Sequence, residues 1–218
     1  MAHGSCLMAR NSPHFPSCLM ALGSCLAFRY FYPMFLSKLS LLNFKNCREA
    51  NLDFVPGVNC FLGNNGEGKT NILDSIHYLS FCKSFFNPID SQNIRNDEDF
   101  FVIQGHFVKE EETVEVYCGQ KRNQKKSFRK NKKEYSRLSD HIGLFPLVMI
   151  SPQDSELITG GSEVRRKFID SIISQYDKTY LEKLINYNKI LIQRNTLLKR
   201  FADGMMFNPE LLYAWDVQ

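Results

Sequence analysis

Eight consecutive residues, Gly63-Asn64-Asn65-Gly66-Glu67-Gly68-Lys69-Thr70, fit the spacing G-x-x-x-x-G-K-[ST] of a phosphate-binding loop. The chemistry asks for these residue types. Gly63, Gly66 and Gly68 lack Cβ atoms, so the backbone can take positive φ and curl its N–H groups around phosphate oxygens. Asn64, Asn65 and Glu67 complete the loop as candidate nucleotide-contacting positions. Lys69 is the candidate catalytic residue, its ammonium set against the β- and γ-phosphates, and the Thr70 hydroxyl is the candidate ligand for Mg²⁺. Nothing in the loop specifies which nucleotide or second substrate is bound.

A loop of this kind needs a strand before it and a helix after it. Val58–Leu62 is a short, largely apolar run that reads as a buried strand. Ile72, Leu73, Ile76 and Leu79 recur at helical spacing and predict a helix with one apolar stripe, whose N-terminal N–H groups and dipole add to the anion site. These flanks separate the motif from a chance match in a surface loop. Upstream, Leu36–Phe44 predicts a strand, Lys45–Arg48 a polar turn, and the alternation around Leu52 and Phe54 a second strand, with Pro56-Gly57 turning the chain toward the loop. Lys45 is a candidate phosphate neighbour if these strands lie side by side, and otherwise a solvated turn lysine.

Downstream, Phe101–Val108 and Thr113–Cys118 predict two strands of a hairpin or meander. Then come thirteen residues, 121–133, with eight Lys or Arg and no acid. Lys121, Arg122, Lys125, Lys126, Arg129 and Lys130 are candidate contacts to nucleic-acid phosphates, with Phe128 available to stack on a base. A solvated hairpin accounts for the same run equally well. Leu147–Ile150 reads as another buried strand, ending at Ser151-Pro152-Gln153-Asp154. Gly160-Gly161-Ser162 predicts a break and an N-cap for a helix from Glu163, with Arg165, Arg166 and Lys167 off its apolar face. Residues 178–201 predict one long amphipathic helix whose stripe Arg194 interrupts, and Asn208-Pro209-Glu210 starts another.

Composition bounds the rest. With 218 residues, 44% hydrophobic and 23% charged, the chain is of ordinary globular make-up, and no apolar run approaches the ~18 residues of a membrane span. A net charge of +4 is too mild to argue for a nucleic-acid partner by itself. Seven cysteines without a C-x-x-C pair suit a reducing, cytoplasmic setting better than a disulfide or zinc scaffold. Residues 1–33 differ in character: Ser-Cys-Leu occurs three times, prolines interrupt, and no acid precedes Glu49. They read as an unstructured extension, either a flexible tail or sequence upstream of a true start at Met34.

Two blocks carry a resemblance. Residues 35–86, FLSKLSLLNFKNCREANLDFVPGVNCFLGNNGEGKTNILDSIHYLSFCKSFF, resemble the start of RecF-family proteins, in the structural-maintenance-of-chromosomes-like branch of the ABC-type ATPases. Residues 151–170, SPQDSELITGGSEVRRKFID, resemble a later stretch of the same family, and the two in this order are more specific than either alone. The resemblance implies an α/β P-loop NTPase lobe with a β-rich subdomain over 34–155, then the beginning of a helical arm lobe over 156–218. It implies ATP and Mg²⁺ as cofactors, and Gln153 or Asp154 as a sensor of the γ-phosphate and its metal; on the residues alone, that pair is a turn before a helix.

For a full-length protein the resemblance implies an ATP-dependent homodimer clamping duplex DNA near single-strand gaps, with weak DNA-stimulated ATPase activity. It would aid recombinase loading with RecO- and RecR-like partners, in recombinational repair, replication restart and the SOS response. Hydrolysis in P-loop proteins also needs an apolar strand ending in a Mg²⁺-holding Asp, the Walker B element. No such strand occurs here, since Asp74 and Asp170 fall in helical patterns, and Thr159–Ser162 only echoes the Leu-Ser-Gly-Gly signature of the ABC type. The chain therefore reads as the N-terminal part of a longer protein, truncated before Walker B. A small-molecule P-loop kinase and an inactive fragment are the rival readings.

Overall fold

The computed structural model describes residues 34–217, apart from 111 and 205. The reading of residues 1–33 as an extension lies outside the described residues. The described part divides between Leu147 and Val148 into two compact units, ahead of the boundary expected after residue 155.

The first unit is built on a six-stranded antiparallel sheet. Its strands are β1 (Met34–Phe44), β2 (Cys47–Asp53), β3 (Phe100–Lys109), β4 (Glu112–Lys121), β5 (Ser127–Lys130) and β6 (Lys133–Glu134), in spatial order β2-β1-β3-β4-β5-β6. Alternation makes one face apolar: Leu39 and Leu41 of β1, Phe101, Ile103 and Phe107 of β3, Val116 and Cys118 of β4 and Phe128 of β5 are all buried. Between β2 and β3 the chain leaves the sheet, makes the glycine-rich loop and forms helix α1 (Lys69–Phe81). Gly105 marks where α1 lies against the sheet, because a Cβ there would come 2.5 Å from Leu79 Cδ1.

Helix α1 is more enclosed than its apolar stripe predicts. Ile72 and Leu79 are buried as expected and Leu73 is exposed, but Asp74, Ser75, His77, Tyr78 and Ser80 are buried too. Those polar groups are paired: Ser80 Oγ donates to Phe145 O at 2.5 Å, and Ser75 Oγ to Ile72 O at 2.6 Å. Such pairing is what makes a polar helix face tolerable inside a core.

Two expected strands do not form. Neither Val58–Leu62 nor Leu147–Ile150 forms a strand among the described residues, and Val58 (77% exposed), Leu62 (70%) and Ile150 (82%) are open to solvent. Apolar character alone does not make a strand. A strand also needs a neighbouring stretch of backbone paired with it in a ladder, and neither run is among the six paired strands of the described residues.

The second unit is helical: a one-turn α2 (Glu156–Thr159), α3 (Ser162–Tyr176), α4 (Lys178–Ala202) and α5 (Pro209–Asp216). Asp177 caps α4 by accepting from Tyr180 N at 3.0 Å, and Asn208 caps α5 by accepting from Glu210 N at 2.9 Å, with Pro209 at the first helical position. Gly161, not Ser162, takes the N-cap of α3; the Ser162 hydroxyl instead accepts from Arg166 Nη1 at 3.0 Å. Arg194, which breaks the stripe of α4, donates to Asp216 Oδ1 at 2.6 Å and so ties α4 to α5.

His141 gives the first unit a pH dependence. Its Nε2 donates to Leu79 O at 2.6 Å and its Nδ1 accepts from Tyr135 OH at 3.0 Å, an arrangement suited to the neutral ring. Burial is the main cause that lowers its pKa from 6.5 to about 4, and burial lowers that of His77 as well. Because the unfolded chain takes up the proton first, this contribution is complete above pH 6.5 and is lost as the pH falls toward 4. The expected loss is about 3 kcal/mol. Urea titrations at pH 7 and pH 4.5 check this: His141→Gln should show a flatter fall in stability with acidity than the parent chain.

Candidate functional site

The phosphate loop is held open by its own backbone. Gly66 and Gly68 have φ of 88° and 102°, and at Gly68 a Cβ would also come 2.8 Å from Asn46 Oδ1, so a side chain is excluded there on two counts. Gly68 is the N-cap of α1, where Ser, Thr, Asp or Asn would normally stand, and no side chain caps the helix. No acid occupies the first turn either. The helix's first N–H groups and its positive dipole end are therefore left for an anion.

Lys69 and Glu67 shape the arch. Lys69 Nζ donates to Gly63 O at 2.6 Å and to Asn64 O at 2.7 Å, which draws the loop around the ammonium. Glu67 accepts from Asn64 N at 3.0 Å and from Asn64 Nδ2 at 3.1 Å, closing the inner turn. Thr70 and Asn65 stand exposed beside them. The uncapped first turn of α1, the ammonium of Lys69 and the adjacent Thr70 hydroxyl form a donor set that fits a polyphosphate with its metal.

Lys45 stands elsewhere than expected. Its ammonium lies 2.6 Å from Asp74 Oδ2, with the lysine side chain 11% exposed and the carboxylate fully buried. The same carboxylate accepts from Ser84 Oγ and from Phe85 N, both at 2.7 Å, and Phe44 and Phe86 flank the ammonium. Lys45 has φ of 52° and donates its own N–H to Asn93 O at 2.8 Å. Asn46, by sequence an ordinary turn residue, reaches the loop instead. Its Nδ2 donates to Gly66 O at 2.9 Å and its Oδ1 accepts from Asn71 Nδ2 at 2.7 Å. A lone polar side chain in a four-residue turn gave no signal of that reach.

The basic run is not one continuous face. Lys126 is turned inward, its Nζ 2.7 Å from Asp90 Oδ2, 2.7 Å from Cys82 O and 3.1 Å from Tyr78 OH, which itself donates to Asp90. Arg129 lies over the Tyr117 ring, and Arg122 Nε donates to Glu98 O at 3.0 Å. Lys121 and Lys125 are exposed and Lys130 half-buried, while Phe128 is buried in the core and has no face to offer a base.

In the second unit Gln153 is exposed, while the Asp154 carboxylate accepts from Ser151 N at 2.6 Å in a capping box. Asp170 accepts from Tyr180 OH at 2.5 Å, so it, like Asp74, is already engaged.

A glycine-hinged loop running into an uncapped helix, with an antiparallel sheet beside it, defines a P-loop ATPase fold, and the family described as AAA domain matches residues 38–208. The chain belongs to that family, and within it to the RecF branch that the sequence resembles. It is 60% identical over 184 residues to the DNA replication and repair protein RecF of Phocaeicola vulgatus, covering 84% of this chain and 49% of the relative. The RecF of Flavobacterium johnsoniae is 51% identical over 85% of this chain and 52% of its own length. The chain thus spans about half the length of the curated relatives it matches. A solved structure of the recombination mediator protein RecF with ATPrS superposes with a TM-score of 0.78 at 34% identity, over 84% of this chain and 50% of that one. An SMC ATPase at 19% identity and a TM-score of 0.52, over 63% of this chain and 99% of that one, shares the fold.

The Lys45–Asp74 pair is testable through stability. Lys45→Ala leaves a buried carboxylate without its counter-charge and should cost about 3–5 kcal/mol in urea unfolding. Replacing both partners, Lys45→Met with Asp74→Leu, should cost less than the single change.

Proposed function

We propose that this chain is the nucleotide-binding part of an ATP-dependent protein of DNA replication and repair, with Gly63–Thr70 as the triphosphate site. The observation that carries the reading is the uncapped start of α1 behind a glycine-hinged arch around Lys69. Relatives named as replication and repair proteins support the biological setting.

In this reading the loop amides and the first turn of α1 hold the phosphate oxygens, and Lys69 offers its ammonium to the β- and γ-phosphates. Thr70 contributes the metal-binding hydroxyl. When bound, Mg²⁺ neutralises charge between the β- and γ-phosphates. Gln153 or Asp154 is the proposed sensor of the γ-phosphate; the Asp154 carboxylate also accepts from Ser151 N at its own helix start.

The finer reading is a cytoplasmic protein that pairs with a second copy when ATP is bound and closes on duplex DNA near single-strand gaps. There it helps load the recombinase with RecO- and RecR-like partners during the response to DNA damage. Lys121, Arg122, Lys125, Arg129 and Lys130 are the proposed phosphate contacts; Lys126 is set aside as an internal strut.

Binding of a fluorescent Mg²⁺-ATP analogue to this chain and to Lys69→Ala, at matched circular dichroism, tests the site. Loss of the charged contact should weaken binding about 10- to 100-fold. Equal binding by both would overturn the assignment.

A further inference from the structure

The turn between β1 and β2 makes a contact that the phosphate-loop motif does not contain. Asn46 lies 20 residues before Gly66 and 25 before Asn71, yet its amide bridges the two. The polarity of that bridge is fixed. Gly66 O can only accept, so Asn46 Nδ2 must face it, which turns Oδ1 toward the Asn71 amide.

The consequence lies in the peptide between Gly66 and Glu67. A trans peptide is planar, with its C=O and N–H pointing in opposite directions. Holding the Gly66 carbonyl on Asn46 therefore holds the Glu67 N–H on the other side, away from the β1–β2 turn. Asn71 stands in the first turn of α1, so the same amide ties the orientation of that peptide to the start of the helix. Gly68 completes the fit, since a Cβ there would fall 2.8 Å from Asn46 Oδ1 and displace it.

We infer that Asn46 is a positioning residue of the phosphate site: it fixes the Gly66–Glu67 peptide so that its N–H faces the bound triphosphate. This rests on the reading of Gly63–Thr70 as a triphosphate site. Asn46 acts through the loop backbone and does not itself touch the nucleotide. Lys45 keeps the adjoining residue in place through its pair with Asp74, so the turn cannot drift from the loop.

The test compares the parent chain with Lys69→Ala, Asn46→Ala, Asn46→Asp and Asn46→Ser, reading both thermal unfolding and the affinity for a fluorescent Mg²⁺-ATP analogue. Asn46→Ala should weaken binding about tenfold with little change in melting temperature. Asn46→Asp should weaken it further, because a carboxylate cannot donate to Gly66 O. Asn46→Ser keeps a short donor and should recover part of the loss. In the parent, the amide signal of Glu67 should move on nucleotide addition, and in Asn46→Ala it should move less.

Parent-like binding by Asn46→Ala, while Lys69→Ala has lost it, overturns the role of Asn46 and leaves the site reading standing. Loss of the melting transition together with binding in all three Asn46 variants overturns it too, making Asn46 structural only. Absence of binding by the folded parent removes the site reading and this inference with it.

Discussion

One buried ion pair holds the site together. Asp74 sits in the middle of α1 with no exposure, and Lys45 crosses from the β1–β2 turn to meet it at 2.6 Å. A carboxylate in that position is costly unless it is fully satisfied. Here Ser84 and the Phe85 N–H complete its shell. The pair therefore locks three pieces of chain to one another: the hairpin turn, the helix behind the phosphate loop and the segment that follows α1. The loop depends on all three. Its helix must stay pressed to the sheet, as the contact of Leu79 with Gly105 shows, and its Gly66 carbonyl must stay within reach of Asn46.

A second buried cation repeats the device farther along the helix. Lys126 reaches from the β4–β5 turn to Asp90, Tyr78 and the Cys82 carbonyl, so the C-terminal half of α1 is fastened as well. Burial drives the Tyr78 phenol and the Cys82 and Cys118 thiols upward in pKa, which keeps these groups neutral and leaves Asp90 and Lys126 as the charges of that pocket. The N-terminal end of α1 is the contrast: only partly buried, uncapped and without an acid in its first turn. The helix is thus rigidly seated along its length and electropositive where a ligand arrives, an arrangement suited to anion binding without rearrangement.

The loop, its helix and the antiparallel strands were legible because each follows a local rule of spacing or alternation. The cap at Asn208 is legible for the same reason. What was not legible depends on pairs far apart in sequence. Lys45 and Asp74 each read as ordinary polar residues, and only the fold brings them together. Lys126 was hidden within a charge run, where seven like neighbours suggested a solvated face. Val58–Leu62 and Leu147–Ile150 have the composition of strands, but a strand is a relation between two stretches of backbone, and composition does not report the partner. Asn46 carried no local signal at all, since an asparagine in a turn is what turns ordinarily contain.

The central claim is that this arch is prearranged to bind a triphosphate through its own amides. Backbone amide spectra of the chain, recorded while Mg²⁺-ATP is added, test it most directly. The largest changes should fall at Gly66, Glu67, Gly68, Lys69 and Thr70, with the β-strands beyond them nearly still. Changes centred on the basic residues 121–133, with the loop amides unmoved, would contradict it.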